Sequence, residues 1–293
     1  MKSERNILVA FVLNLAFSIF EFFGGIFCGS VAILSDAIHD IGDAASIGIA
    51  YFLERKSKEK ANEIYTYGYA RYSVLGGLIT SLVLFFSSFV VIFNAVRRVF
   101  SPIEINYNGM LVFAVVGFVV NLAAVMVTHK GHSLNERAIS LHMLEDVLGW
   151  AVVLVGAVVM RFTDIAIIDP IMSVAVSVFV LISAAKTAKK AIELFLEKAP
   201  SGIDVKKVAE SITAIAGVSD VHHIHIWSID ERNACATLHI VTDKDADVIK
   251  EKIRKEMSHM GISHVTIEVD SRKDGEKDCL IDFTEQHGCC HNH

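Results

Sequence analysis

The sequence is poor in proline, in cysteine and in charge. It has 3 prolines and 5 cysteines in 293 residues, and 20% of its residues are charged, against about 25% in typical soluble domains. The cysteines are scattered and odd in number, which excludes a disulfide framework and favours a reducing compartment for the soluble part. The low charge, together with 53% hydrophobic residues, favours a membrane protein.

Charge is also distributed unevenly along the chain. Residues 1–200 contain 16 basic and 16 acidic side chains, whereas residues 201–293 contain 11 and 17, so the net charge of −6 belongs to the C-terminal part. An acidic part of this kind argues against nucleic acid as a partner, which requires a basic face, and suits a cation. The chain has no GxxxxGK[ST] loop, so no nucleotide cofactor is predicted.

Six apolar stretches are long enough to cross a bilayer as helices of about 20 residues. They cover residues 7–28, 31–53, 73–96, 109–128, 138–160 and 165–187. The first lacks a cleavage site of small residues, so we interpret it as a retained span. The loops and termini on one side of the predicted membrane hold 13 Lys or Arg and the opposite loops hold 3, which places both termini in the cytoplasm by the positive-inside rule.

The rest of the chain has the pattern of a small α+β domain. Helices are predicted over 204–216 and 246–259, and strands over 219–229, 234–242 and 263–270, in the order αββαβ. We therefore predict an α-helical membrane protein whose six-helix transmembrane domain covers 1–198, with a cytoplasmic α+β domain over 199–272 and a flexible tail over 273–293. Two interpretations of the terminal QHGCCHNH stay open: metal capture, or a solvated tail without ligands.

Two of the predicted spans contain His and Asp at the same spacing. His39 and Asp43 are four residues apart in the second span, as are His142 and Asp146 in the fifth, so each pair projects from one helix face. Counted at about 1.5 Å per residue from opposite membrane faces, both pairs reach the middle layer. Two nitrogens and two oxygens form a four-ligand set that Zn²⁺ accepts.

Each pair also has a simpler explanation, as a hydrogen-bonded couple or as a proton relay without metal. Two equivalent pairs at one depth favour a metal site, because ionisable groups inside a membrane are costly. In the same two spans, Asp36, Asp40 and Glu145 are expected to line a water-filled path or to cap a polar cavity. Asn14 and Glu21 in the first span and Asn121 in the fourth are expected to form hydrogen bonds between helices, with a proton path as the alternative.

These motifs resemble the cation diffusion facilitator family of divalent-metal exporters. The family's first-to-second span signature resembles GGIFCGSVAILSDAIHDIGDA, and its fifth-span signature resembles HSLNERAISLHMLEDVLGW. Its C-terminal domain is similar to the stretches VSDVHHIHIWSID, TLHIV and HVTIEVD. The resemblance covers about residues 5–272.

The resemblance implies an exporter that exchanges cytoplasmic Zn²⁺ for protons and forms a homodimer through a metallochaperone-like C-terminal domain. The transport site that it implies consists of His39, Asp43, His142 and Asp146. It further implies a regulatory metal site in the cytoplasmic domain. The residues of that site are His222, His239 and Asp270, with His264 as a further candidate.

Neighbouring residues are expected to have no ligand role. His223 and His225 are predicted on the opposite face of their strand from His222, because side chains alternate. The loop between spans two and three has Tyr65 and Tyr69 where some relatives carry His, so no metal site is predicted there.

Two other functions compete with export. An intramembrane metalloenzyme would have an open coordination position and commonly an HExxH motif, whereas this chain offers four ligands and no HExxH. A membrane metal sensor that signals through its soluble domain stays open, and flux in liposomes would separate it from an exporter.

Overall fold

A computed structural model describes most of the chain. The described residues are 2–28, 31–100, 107–129, 133–163 and 168–270. The chain divides into two compact units, Met1–Ile192 and Glu193–His293.

Six helices among the described residues build the first unit and agree with the six predicted spans. They are α1 (Lys2–Cys28), α2 (Val31–Lys56), α3 (Arg71–Phe100), α4 (Tyr107–Thr128), α5 (Leu134–Thr163) and α6 (Ile168–Phe195). By length and composition, two stretches within the described residues could span a membrane, Arg5–Phe23 in α1 and Arg71–Arg97 in α3.

The first unit has polar side chains inside and large apolar side chains outside. Glu21 is 1% exposed and His142 is 3% exposed, whereas Phe52 and Phe93 are 67% and 68% exposed. In a protein surrounded by water, acidic side chains mostly lie outside and large aromatic side chains mostly lie inside. A hydrocarbon surrounding explains the reverse arrangement, because polar groups then avoid the outer surface.

The helices that carry the predicted transport ligands are neighbours. Helices α2 and α5 contact each other, and α3 contacts both. Ile47 of α2 and Ile139 of α5 meet Ile7 of α1 in one buried cluster. This packing holds the two halves of the predicted transport site side by side.

The second unit confirms the predicted αββαβ order. Its elements are α7 (Val205–Thr213), β1 (Asp220–Ser228), β2 (Ala234–Val241), α8 (Ala246–His259) and β3 (Ile262–Asp270). Strand β2 is central and pairs antiparallel with β1 and parallel with β3. The side chains of Asp204 and Asp245 start the two helices by accepting backbone N–H bonds, as N-cap residues do.

One face of the sheet forms the core of this unit with the two helices. Val221, Ile240 and Val269 lie side by side across the three strands and belong to the buried core or pack against it. Side chains alternate along a strand. The residues directly before and after each member of this row therefore project from the opposite face of the sheet. That opposite face carries the predicted cytoplasmic ligands.

Candidate metal centres

Three of the four predicted transport ligands lie together inside the first unit. Asp43 of α2 and both His142 and Asp146 of α5 place their ligand atoms within 4.8 Å of one another. His142 Nε2 lies 3.7 Å from Asp43 Oδ2. His39 lies in α2, four residues before Asp43, but its side chain is outside the described part of the chain.

The ring of His142 has unused bonding capacity. Both of its nitrogens are buried and have no hydrogen-bond partner among the described residues. Leaving such a group unbonded is costly, so an ion, a water or a ligand commonly satisfies it. A hydrogen-bonded couple of His142 with Asp146, the simpler explanation, is therefore not found. An imidazole whose ligand atom lies within 4.8 Å of two carboxylate oxygens is instead suited to bind a divalent cation.

The predicted cytoplasmic ligands converge on the open face of the sheet. His222 and His239 are directly paired across β1 and β2. Asp270 Oδ2 lies 2.9 Å from His222 Nε2 and 3.0 Å from His239 Nδ1. The three ligand atoms lie within 4.8 Å of one another, and two imidazole nitrogens with one carboxylate oxygen form a set that Zn²⁺ accepts.

Each of these two imidazoles faces a second carboxylate. Asp220 Oδ2 lies 2.9 Å from His222 Nδ1, and Glu268 Oε2 lies 3.5 Å from His239 Nε2. In metal sites such carboxylates accept the second N–H of the imidazole and thereby fix its tautomer and orientation. Burial acts to raise the pKa of Asp270, but hydrogen bonds from His239 and His222 outweigh it and lower that pKa. Asp270 is thus an anion at neutral pH.

A β-bulge changes the predicted place of His223. The pairing register shifts between His222 and His225, and His223 has a φ of 52°. The extra residue turns His223 to the face of His222, and its ring centroid lies 5.2 Å from that of His222 and 4.9 Å from that of His239. The prediction was therefore wrong for His223, because alternation fails at a bulge. It was also wrong for His225, which pairs with Thr237, two residues before His239, and so shares the face of His222. Burial, His239 and His222 lower the pKa of His223.

Comparison with known proteins gives the same division of the chain. Residues 7–196 match the cation efflux transmembrane domain, and residues 200–272 match the cytoplasmic domain of cation efflux proteins. The chain belongs to the cation efflux, or cation diffusion facilitator, family. Its helices α1 to α6 therefore form a transmembrane domain.

Several bacterial transporters are similar to this cation efflux protein over nearly the whole length. The zinc transporter ZitB of Yersinia pestis is 34% identical over 286 residues, covering 95% of this chain and 91% of that protein. A cadmium, cobalt and zinc/H⁺-K⁺ antiporter of Bacillus subtilis is 30% identical, covering 95% and 93%. The metal cation efflux system protein CzcD of Cupriavidus metallidurans is 32% identical, covering 91% and 86%. These are transporters, so the metalloenzyme alternative is set aside.

One further prediction for this cation efflux protein was wrong. His264 does not join the cytoplasmic cluster, because it pairs with Cys235 at the other end of β2. It lies six residues before Asp270, about 20 Å along an extended strand. The hydrogen bonds between helices expected of Asn14 and Asn121 stay a prediction: one atom of each amide, Asn14 Nδ2 and Asn121 Oδ1, is buried without a partner among the described residues.

Other predictions stay predictions. The tail with His287, Cys289, Cys290, His291 and His293, and the side chain of Asp36, lie outside the described residues. The absence of a metal site in the loop between α2 and α3 also stays a prediction. The two tyrosines of that loop, Tyr65 and Tyr69, have ring centroids 4.4 Å apart.

Sequence reasoning missed the two carboxylates behind the cytoplasmic imidazoles. Asp220 precedes His222 by two residues, and Glu268 precedes Asp270 by two. Residues two apart on a strand share a face, so this spacing was the available signal. It also missed Glu54, which is 4% exposed at the end of α2, and Asn135, which is fully buried at the start of α5.

Proposed function

We propose that this cation efflux protein exports Zn²⁺ in exchange for protons, with His39, Asp43, His142 and Asp146 as transport ligands. The observation that carries the proposal is the cluster of Asp43, His142 and Asp146. Asp43 and His142 are buried in it, and both nitrogens of His142 lack a hydrogen-bond partner among the described residues. The names of similar proteins support the ion and the exchange, because one is a zinc transporter and another an antiporter for zinc and H⁺.

Metal and protons compete for the same groups. Zn²⁺ binds neutral imidazole and ionised carboxylate, so metal binding expels protons and protonation weakens metal binding. A site that faces the cytoplasm loads metal and loses protons. When the same site faces a more acidic exterior, protons displace the metal. A proton gradient can therefore drive export without a nucleotide.

We further propose that the cluster of His222, His239 and Asp270 is a regulatory Zn²⁺ site and that the chain forms a homodimer through the domain over 199–272. We also propose that both termini lie in the cytoplasm and that the transmembrane domain covers 1–198. The count of basic residues in the predicted loops supports this orientation. The match of residues 200–272 to a cytoplasmic domain supports it as well.

Growth of a zinc-sensitive bacterial host tests the proposal. The native chain is expected to restore growth on zinc, and Asp43→Ala is expected to fail at an equal amount of protein in the membrane. A truncation after Lys273 is expected to keep resistance, because the tail contributes no transport ligand. Resistance that survives Asp43→Ala would contradict the proposed transport site, and zinc binding without any flux in liposomes would favour a sensor.

A further inference from the structure

Asn135, in the first turn of α5, is buried at a junction of three helices. Its Nδ2 donates a hydrogen bond of 2.8 Å to the backbone carbonyl of Ala50 in α2 and lies 3.5 Å from Glu54 Oε2. The side chain is 0% exposed. Because two acceptors on α2 face one nitrogen, the amide end of Asn135 is directed at that helix.

Helix α3 closes the junction from the third side. Ser73 Oγ donates to Glu54 Oε2 over 2.5 Å, which ties the start of α3 to the end of α2. A Cβ on Gly76 would lie 2.8 Å from Asn135 Oδ1, and one on Gly77 would lie 2.8 Å from the backbone of Leu134. The start of α5 therefore fits against α3 only because these two positions lack side chains.

The hydrogen bond joins equivalent points on the two ligand helices. Asp43 precedes Ala50 by seven residues on α2, and His142 follows Asn135 by seven residues on α5. Seven residues are close to two helical turns, so each ligand lies on the same helix face as its end of the bond, about 10 Å away. The observed distance of 3.7 Å between Asp43 Oδ2 and His142 Nε2 agrees with this count.

The second pair of ligand positions is also equally spaced from the two ends of this hydrogen bond. His39 precedes Ala50 by eleven residues, and Asp146 follows Asn135 by eleven. Eleven residues are close to three turns, about 16 Å. The hydrogen bond between Ala50 and Asn135 thus fixes a common starting point on α2 and α5. Measured from it along the helix axes, the two members of each ligand pair lie at the same distance.

We infer that Asn135 is a positioning residue that sets the axial register of α2 against α5 and thereby aligns the two halves of the transport site. This inference rests on the proposed transport site. A slip of one residue between the helices moves the ligands of one helix by about 1.5 Å and 100° relative to those of the other. Functional sites require their groups within about 0.5 Å, so the site depends on this register although Asn135 touches no ligand.

Asn135→Asp tests the inference in the full chain, because it keeps the shape of the side chain and removes the N–H donor. Thr128→Val is the matched control. Thr128 is also buried and donates a bond of 2.9 Å to a backbone carbonyl, that of Ala124, but within its own helix α4. The first change removes a bond between ligand helices, and the second removes a bond of similar length that joins no helices.

Two readouts separate register from general stability. The first is the KM and kcat of zinc flux in proteoliposomes, and the second is the absorption of Co²⁺ bound to the membrane site, recorded on a His222→Ala background that disables the cytoplasmic cluster. We expect Asn135→Asp to raise the KM by about tenfold or more, as loss of a residue that orients metal ligands does, and to change the Co²⁺ absorption. Thr128→Val is expected to stay within about twofold of native.

A folded Asn135→Asp protein with native KM and native Co²⁺ absorption would overturn the inference. If Asn135→Asp does not fold, Gly76→Ala presses on the same amide from α3 and is expected to raise the KM, and a native KM there would equally count against the inference. Asp43→Ala distinguishes failure of the proposed transport site from failure of the proposed register role. If it keeps zinc flux, the transport site itself is wrong, whereas loss of flux there with a native KM in Asn135→Asp rejects the register role alone.

Discussion

Asp43 Oδ2 of α2 lies 3.7 Å from His142 Nε2 of α5. This distance is longer than a good hydrogen bond. Two ligands at about 2.1 Å from a tetrahedral Zn²⁺ are about 3.4 Å apart, so one ion could bridge the two atoms after a small adjustment. Asp146 lies in the same cluster, and this arrangement underlies the predictions below.

Metal stoichiometry should separate the two clusters. A chain truncated after Lys273 is expected to bind one Zn²⁺ at the membrane cluster and one at the cytoplasmic cluster, since these are the two groups that could hold a metal among the described residues. Asp43→Asn should lose the first ion, Asp270→Asn the second, and the double variant both. Equilibrium dialysis measures the bound metal, and Asp270→Asn protein that still binds both ions would contradict the cytoplasmic site.

The metal-free cytoplasmic domain should lose stability in mild acid. Burial and the neighbouring His239 and His222 lower the pKa of His223, so the folded state binds fewer protons than the unfolded chain. The corresponding stability is present above the unfolded pKa of about 6.5 and is lost as the pH falls from there towards the folded value. Thermal unfolding with a chelator should therefore show a lower Tm at about pH 5 than at about pH 7.

His223→Asn is the variant that checks this pH dependence. Asn tolerates a positive φ better than most residues, so it should preserve the bulge while it removes the titrating ring. The difference in Tm between the two pH values should shrink in this variant. An unchanged difference would assign the acid sensitivity to other groups.

Gly217→Ala should destabilise the cytoplasmic domain. Gly217 has a φ of 107°, and a Cβ there would lie 2.8 Å from Ile249 Cδ1 and 3.0 Å from Lys244 Cγ. Backbone strain and crowding together should cost about 1–3 kcal/mol. Gly202→Ala is the control, because nothing lies within 4 Å of its Cβ, and it should change stability by less than about 0.5 kcal/mol. Equal Tm values for the two variants would contradict this account of the turn.

Gly117→Ala should disturb the contact of α4 with α5. A Cβ on Gly117 would lie 2.5 Å from the ring of Trp150, whereas nothing lies within 4 Å of a Cβ on Gly149. We expect less folded protein for Gly117→Ala and native amounts for Gly149→Ala, measured by size-exclusion chromatography in detergent. A native elution profile and yield for Gly117→Ala would show that the helices are farther apart than described.

The features that could be predicted from the sequence are those that depend on a local sequence pattern. Hydropathy located the six helices, and the repeated HxxxD spacing selected three residues that the structure brings together, Asp43, His142 and Asp146. Both are short-range properties, since an i, i+4 pair shares a helix face in any helix.

Features that depend on pairing between segments were missed. The bulge at His223 could not be located without knowing how β1 pairs with β2. A partial signal was present, because Val221, Ile224 and Ile226 all pack in or against one core. They are spaced by three and then by two residues, which indicates an extra residue in the strand. The role that we infer for Asn135 was missed as well, because it depends on a hydrogen bond to Ala50, a residue 85 positions away.

Zinc flux under an imposed pH gradient tests the central claim most directly. Proteoliposomes containing native protein, His142→Ala or His129→Ala would be loaded with radioactive zinc on one side and given a pH gradient of either sign. His129 is an exposed histidine that follows α4 and lies outside both clusters. We predict flux that follows the gradient for native and His129→Ala protein and none for His142→Ala. Flux that ignores the gradient, or that persists in His142→Ala, would contradict proton-coupled export through the Asp43, His142 and Asp146 cluster.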